Sequence, residues 1–120
     1  MNNIQFFHKR SYKNIQKLDG WSKQLEARGG ITFALDVLPL SQNLVDLRSG
    51  ESIMLSAGVS LCSKKDNYNK KIGRNIAKGK LQSKSFQVVD INDKCISLEL
   101  GGLLFTILIF GQKLHFVSVE

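Results

Sequence analysis

Seven basic residues stand within one short segment, "CSKKDNYNKKIGRNIAKGKL" at 62–81: Lys64, Lys65, Lys70, Lys71, Arg74, Lys78 and Lys80. One acid, Asp66, accompanies them. The remainder of the chain carries ten Lys/Arg against nine Asp/Glu, so nearly all of the formal +7 belongs to this segment. Charge gathered in one place suits a negative partner: phosphate groups, a nucleic-acid strand or an acidic protein surface. An ordinary solvated basic face is the plain alternative.

The spacing predicts an amphipathic helix. Tyr68, Ile72 and Ile76 recur every four residues and would form an apolar stripe against the core. Asn67, Lys70, Lys71, Arg74 and Lys78 fall on the opposite face at intervals of three or four. Ser63 or Asp66 could cap the start, and Gly79 suits the end. Like charges at these spacings each cost a helix a few tenths of a kcal/mol, so a face without interleaved acids points to a use. Gly73 costs about 1 kcal/mol relative to alanine in mid-helix. With Ala77 it makes a small edge that lets a strand, a second helix or a ligand come close.

A helix N-terminus offers unpaired N–H groups and partial positive charge. With Lys64 and Lys65 beside it, that end makes a competent phosphate site. Asn67 and Asn69 could read ribose or base edges through their amides. Arg74 and Lys78, one turn apart, could hold a phosphate between a planar fork and a point charge. The expected ligand-binding set is Lys64, Lys65, Asn67, Lys70, Lys71, Arg74 and Lys78.

Within this segment, "DNYNKKIGRNIAKGKL" at 66–81 resembles part of small phage-encoded nucleotide-sponge anti-defence proteins of the Thoeris-inhibiting type. The likeness rests on the spacing of Gly73-Arg74 to Gly79-Lys80 and on the paired basic residues Arg74 and Lys78. Lys78 stands where that family would have arginine. The resemblance implies a protein that sequesters a signalling cyclic nucleotide without cleaving it, in the host cytoplasm. A basic module for nucleic acid or an acidic protein surface, such as an anti-CRISPR or nuclease inhibitor, is the alternative.

Catalytic patterns are thin. The histidines are His8 and His115, and His115 is read as a surface or edge residue of a terminal strand. Cys62 precedes a basic helix, a setting that can depress a thiol pKa, but no base lies near it in sequence. Asp90 and Asp93 flank a turn and are assigned to it. There is no Walker loop, HExxH or paired-carboxylate pattern. The expectation is a non-enzyme with no cofactor and no metal.

The elements that must position the basic helix read mostly as strands. "ITFALDVL" places Ile31, Phe33, Leu35 and Val37 on one face, and Pro39 is expected to end it. "NLVDL" is a short strand candidate and "RSGE" a turn. "SIMLSAGVSLCS" sends Ile53, Leu55, Ala57, Val59 and Leu61 to one side. Its other side, Met54, Ser56, Gly58, Ser60 and Cys62, is nearly all small, so a helix or a ligand packs closely there. "SFQVVDI", "CISLEL", "LLFTILIF" and "KLHFVSV" follow, separated by "NDK", "GG" and "GQ", as an antiparallel meander. In the N-terminal part, Tyr12, Ile15 and Leu18 suggest one amphipathic helix.

Residues 1–120 are therefore expected to form a single domain of the α+β class. The sheet is mainly antiparallel, with a barrel-like curl as one outcome, and one or two helices pack on it. The apolar run at 103–110 is too short for a membrane helix, which needs about 20 residues. The first ten residues lack the apolar core of a signal peptide, and Cys62 and Cys95 show no metal spacing. A cytoplasmic protein with reduced thiols and no membrane partner is expected. The apolar C-terminal strands leave an edge with little charge, so a homodimer or higher homo-oligomer is expected to cover it.

Overall fold

The computed structural model describes residues 3–9, 30–62 and 69–120. The helix expected at Tyr12, Ile15 and Leu18 lies outside them. Among the described residues seven strands follow in chain order: β1 (Ile4–Lys9), β2 (Gly30–Asp36), β3 (Ser52–Cys62), β4 (Gln82–Ile91), β5 (Cys95–Leu100), β6 (Leu103–Phe110) and β7 (Lys113–Val119). Each pairs antiparallel with the next, in one sheet of order β1-β2-β3-β4-β5-β6-β7. Among the described residues two helices accompany them, α1 (Leu38–Asn43) and α2 (Lys70–Gly79). The sheet curls into a nearly closed barrel, so the α+β label is met only loosely.

Alternation along the strands explains the curl. Ile31, Phe33 and Leu35 of β2, Leu55, Ala57 and Val59 of β3, and Phe86 and Val88 of β4 point into one interior. Ile96 and Leu98, then Phe105 and Ile107, then Leu114, Phe116 and Val119 complete it. Phe105 sits at its centre. Its ring meets Phe33 and Phe86 edge-on at centroid distances of 5.7 and 5.3 Å and lies 6.0 Å from Phe116. Edge-to-face contacts of this kind stabilise beyond simple burial.

Two bulges bend the ladder. Val88 faces Leu98 and Asp90 faces Ser97, so Val89 is an extra residue in β4. Thr106 faces Ser118 and Ile107 faces Phe116, so Val117 is extra in β7. Each bulge re-phases its strand. Ile91 and Val119 turn inward, while Val89 and Val117 are left outside. Extra residues on one strand also raise the local twist, which helps a sheet close.

The turns follow the sequence. Gly101 and Gly102 take φ of 59° and 87°, the two-residue left-handed loop that matches strand twist. Between β4 and β5 the organising residue is Asn92, whose Oδ1 accepts from the Lys94 and Cys95 N–H groups at 2.7 and 3.0 Å. Of the two expected turn residues, Asp93 lies within this turn and Asp90 belongs to β4. Cys95 is a free thiol.

The stretch from Leu38 to Leu47 corrects two expectations. Pro39 does not simply end a strand; it opens α1, where its missing N–H is tolerated. "NLVDL" is not a strand either: it covers the last residue of α1 and the turn after it. Val37, Leu40 and Leu47 are buried and plug this end of the barrel.

The last seam is closed by a side chain. The Gln5 carboxamide donates to the Leu114 carbonyl and accepts from the Phe116 N–H at 2.7 Å. A glutamine amide thus acts as one peptide unit of a missing ladder between β1 and β7, and Phe7 stacks its ring 5.8 Å from Phe116 beside it. The edge of β7, which suggested an oligomer, meets β1 of the same chain.

Gln5→Ala removes both seam hydrogen bonds and leaves two main-chain groups of β7 without these partners. A loss of about 1–3 kcal/mol is expected. It should appear as a lower urea midpoint with an unchanged slope; an unchanged midpoint would mean that the seam is held by Phe7 packing alone.

Candidate functional site: the basic face of α2

α2 starts where Asn69 caps it. Asn69 is extended, and its Oδ1 accepts from the N–H groups of Lys71 and Ile72 at 3.0 and 3.2 Å. The expected caps, Ser63 and Asp66, precede this start and lie outside the described residues. So do Lys64, Lys65 and Asn67 of the expected binding set, and Tyr68. Asn69 is corrected from a reader of base edges to a cap, and its side-chain oxygen takes two N–H groups of the first turn.

The helix sits on the sheet differently from the amphipathic reading. Its buried residues are Gly73 and Ala77. Ile72 and Ile76, expected in the core, are 56% and 41% exposed. The cause is the close approach of backbone to backbone. A Cβ on Gly58 of β3 would lie 2.2 Å from the Ala77 carbonyl oxygen. One on Gly73 would lie 2.4 Å from Oγ1 of Thr32 on β2. A helix docked through isoleucines could not come so near. The small row on β3 is thus the seat of a helix, the plainer of its two readings, and Gly58 and Ser60 are buried beneath it.

By helical geometry Lys71 and Lys78 point away from this seat, whereas Lys70 and Arg74 lie along its flank. Lys70, Lys71, Arg74 and Lys78 are all exposed, and the helix sequence carries no acid. Lys70, Arg74 and Lys78 follow one another every four residues, a slanting row about 12 Å long at 1.5 Å rise per residue. Lys78 in the last turn also complements the helix dipole.

His8 joins this neighbourhood from β1. It pairs in register with Thr32, and its Nδ1 lies 2.9 Å from Thr32 Oγ1. Burial pushes its pKa below the usual 6.5, and the nearby charges of Lys70 and Arg74 push it the same way. Sequence spacing gives no hint of this, because more than sixty residues separate His8 from Lys70; only the β1–β2 pairing and the helix seat bring them together.

A concavity of about 490 Å³ opens where the turn after α1 meets the β4–β5 and β6–β7 turns. Val45, Ile91 and Ile109 line it with Arg48 and Asp93. Nη1 of Arg48 donates to the Val45 and Leu47 carbonyls at 3.0 and 2.9 Å, so the guanidinium braces its own loop. His115 lies elsewhere, its ring edge-on to exposed Phe110. Among the described residues no group of three His, Cys, Asp or Glu could hold a metal, and no helix is long and apolar enough to cross a membrane. Comparison with protein-family models, curated proteins and solved structures returns no match.

The seat makes an opposite-to-propensity prediction. Ala is favoured over Gly in helices by about 1 kcal/mol. Gly58→Ala, on the strand, has no such gain and drives a methyl into a main-chain oxygen. Gly73→Ala gains propensity but collides with buried Thr32. Both are expected to destabilise, Gly58→Ala the more, by roughly 1–3 kcal/mol as overpacking. Thermal unfolding checks it, and a stabilised Gly73→Ala protein would show that α2 rides higher than described.

Proposed function

We propose that the protein is a non-enzymatic binder that takes up a phosphate-bearing nucleotide on the outward face of α2. Arg74 supplies the planar fork, Lys70 and Lys78 flank it one turn away on either side, and Lys71 adds charge at the margin. The observation that carries the reading is the exposed row Lys70–Arg74–Lys78 on a helix whose other face is fixed to the sheet through Gly73 and Ala77. A rigid mount means that little ordering is lost when the side chains close on an anion.

The resemblance of 66–81 to nucleotide-sponge anti-defence proteins gives this reading its setting: sequestration of a signalling cyclic nucleotide. In that setting the proposed ligand set also takes in Lys64, Lys65 and Asn67, which lie outside the described residues, and a second copy of the chain if the protein is an oligomer.

A basic module for nucleic acid or an acidic protein is the second reading, and the length of the row favours it. About 12 Å of aligned cations exceeds one phosphate and fits several in succession. Exposed Ile72 and Ile76 beside the row would suit a protein partner with an acidic rim.

Calorimetry separates these. Cyclic dinucleotides and cyclic ADP-ribose isomers should bind with fixed stoichiometry and weak salt dependence. Arg74→Ala should lower affinity about 10- to 100-fold, the scale of a lost charged hydrogen bond, with an unchanged circular dichroism spectrum because the residue is exposed. Length-dependent binding to oligonucleotides, with a log–log salt slope near −0.7 to −0.9 per phosphate contact, would favour the second reading instead. No heat with any nucleotide would overturn the first.

A further inference from the structure

β6 is mostly apolar on both of its faces. Leu103, Phe105 and Ile107 point into the barrel, and by alternation Leu104, Leu108 and Phe110 point outward, with Thr106 among them. A strand whose outer face met only water would alternate apolar with polar. Phe110 is 59% exposed, Leu104 and Leu108 are half-buried, and the bulge of β7 adds exposed Val117 beside them.

Register gives the rows that cross this stripe. At one end Glu99 of β5 faces Leu104, and Glu120 exchanges two main-chain hydrogen bonds with Leu104, at 2.7 and 2.8 Å. Ser97, Thr106 and Ser118 form the next row, then Cys95, Leu108 and His115. At the other end Phe110 faces Lys113. From Leu104 to Phe110 the stripe runs about 20 Å at 3.4 Å per residue. It is acidic at the Leu104 end and basic at the Phe110 end. Glu99, Lys113 and Glu120 are exposed, and none makes an ion pair among the described residues.

A stripe polarised in this way complements its own copy. A two-fold axis lying across the strands sets β6 against β6 of a partner in the opposite direction. Leu104 then meets the partner's Phe110, β7 lies over β7, and Glu120 faces the partner's Lys113. Symmetry repeats each contact, so both ends are neutralised at once. A partner of one charge would satisfy one end and oppose the other. No strand edge is needed, because β1 already takes the edge of β7 through Gln5.

We propose that the outer face of β5, β6 and β7 is the interface of a two-fold homodimer, with Leu104 and Phe110 packed across the axis and reciprocal Lys113–Glu120 pairs closing the ends. Asp90 of β4 pairs with Ser97 one strand further round the curve, where its charge at the rim opposes closer contact. Three strands about 14 Å wide make a footprint well under the roughly 800 Å² per partner of a standard complex. Association is therefore weak and concentration-dependent, and the ion pairs set the register more than the affinity. α2 sits on β2 and β3, elsewhere on the barrel, so the dimer does not depend on what α2 binds.

Sedimentation velocity of the full chain from micromolar to millimolar concentration tests this. The average mass should rise from one chain toward two, and less so in high salt. Lys113→Glu and Glu120→Lys each set like charges against one another at both ends, and each alone should stay a single chain. Mixed in equal amounts, the two variants regain both pairs and should dimerise with one another. Phe110→Ser should also abolish the dimer with an unchanged circular dichroism spectrum, since the ring is exposed. A single-chain mass across the whole series overturns the proposal. So does a dimer indifferent to all three substitutions, which would place association on another surface. Loss in both charge variants without recovery in the mixture overturns the two-fold register.

Discussion

The contact on which this architecture turns is the descent of α2 onto the sheet through residues with almost no side chain. Gly58 on β3, with Gly73 and Ala77 on the helix, removes the methylenes that normally hold a helix and a sheet apart. The arrangement forgoes burial. Ile72 and Ile76 could each have contributed about 1.5–3 kcal/mol had they been fully buried, and they stay largely outside. In exchange the helix gains close main-chain packing, and its basic face is fixed in direction. The environment of His8 depends on the same approach, since a higher helix would carry Lys70 and Arg74 away from the imidazole.

The barrel beneath is a meander whose irregularities do the bending. Val89 and Val117 are exposed because each is the extra residue of a bulge, and each bulge lets a later residue of its strand return inward. Buried Val37, Leu40 and Leu47 plug one end through α1 and the turn after it. Phe105, meeting three other aromatic rings, links the β2 side of the interior to the β7 side.

Much of the sheet was legible in the sequence because period-two alternation and glycine turns agree there. "LLFTILIF" and "KLHFVSV" around "GQ" carry both signals, as do "CISLEL" and "GG". "LPLSQN" misled because proline reads equally as the end of a strand and the first turn of a helix. The stripe Ile72–Ile76 misled for a deeper reason: hydrophobicity names what gains from burial, but steric size decided which face could approach. The small row of β3 carries that information, since Gly58 and Ser60 mark a surface that only a close-packed neighbour can cover. The cationic row on α2 was legible from spacing alone, whereas the cap, expected at Ser63 or Asp66, is Asn69, because several short polar side chains precede the helix and spacing does not choose among them. His8 and Gln5 had no local signature, since one matters through a neighbour on another strand and the other substitutes for a peptide group.

The glutamine seam bears on how the chain reaches its shape. Six strand pairings join elements adjacent in the chain, and such contacts can zip from neighbour to neighbour. The Gln5 contacts with β7 instead span 109 and 111 positions. Contacts that close the longest loop repay their entropy only after most other structure exists, so this closure belongs late on the folding route. Until then the chain is an open sheet with two bare edges, and its lifetime in that form sets its exposure to edge-to-edge aggregation.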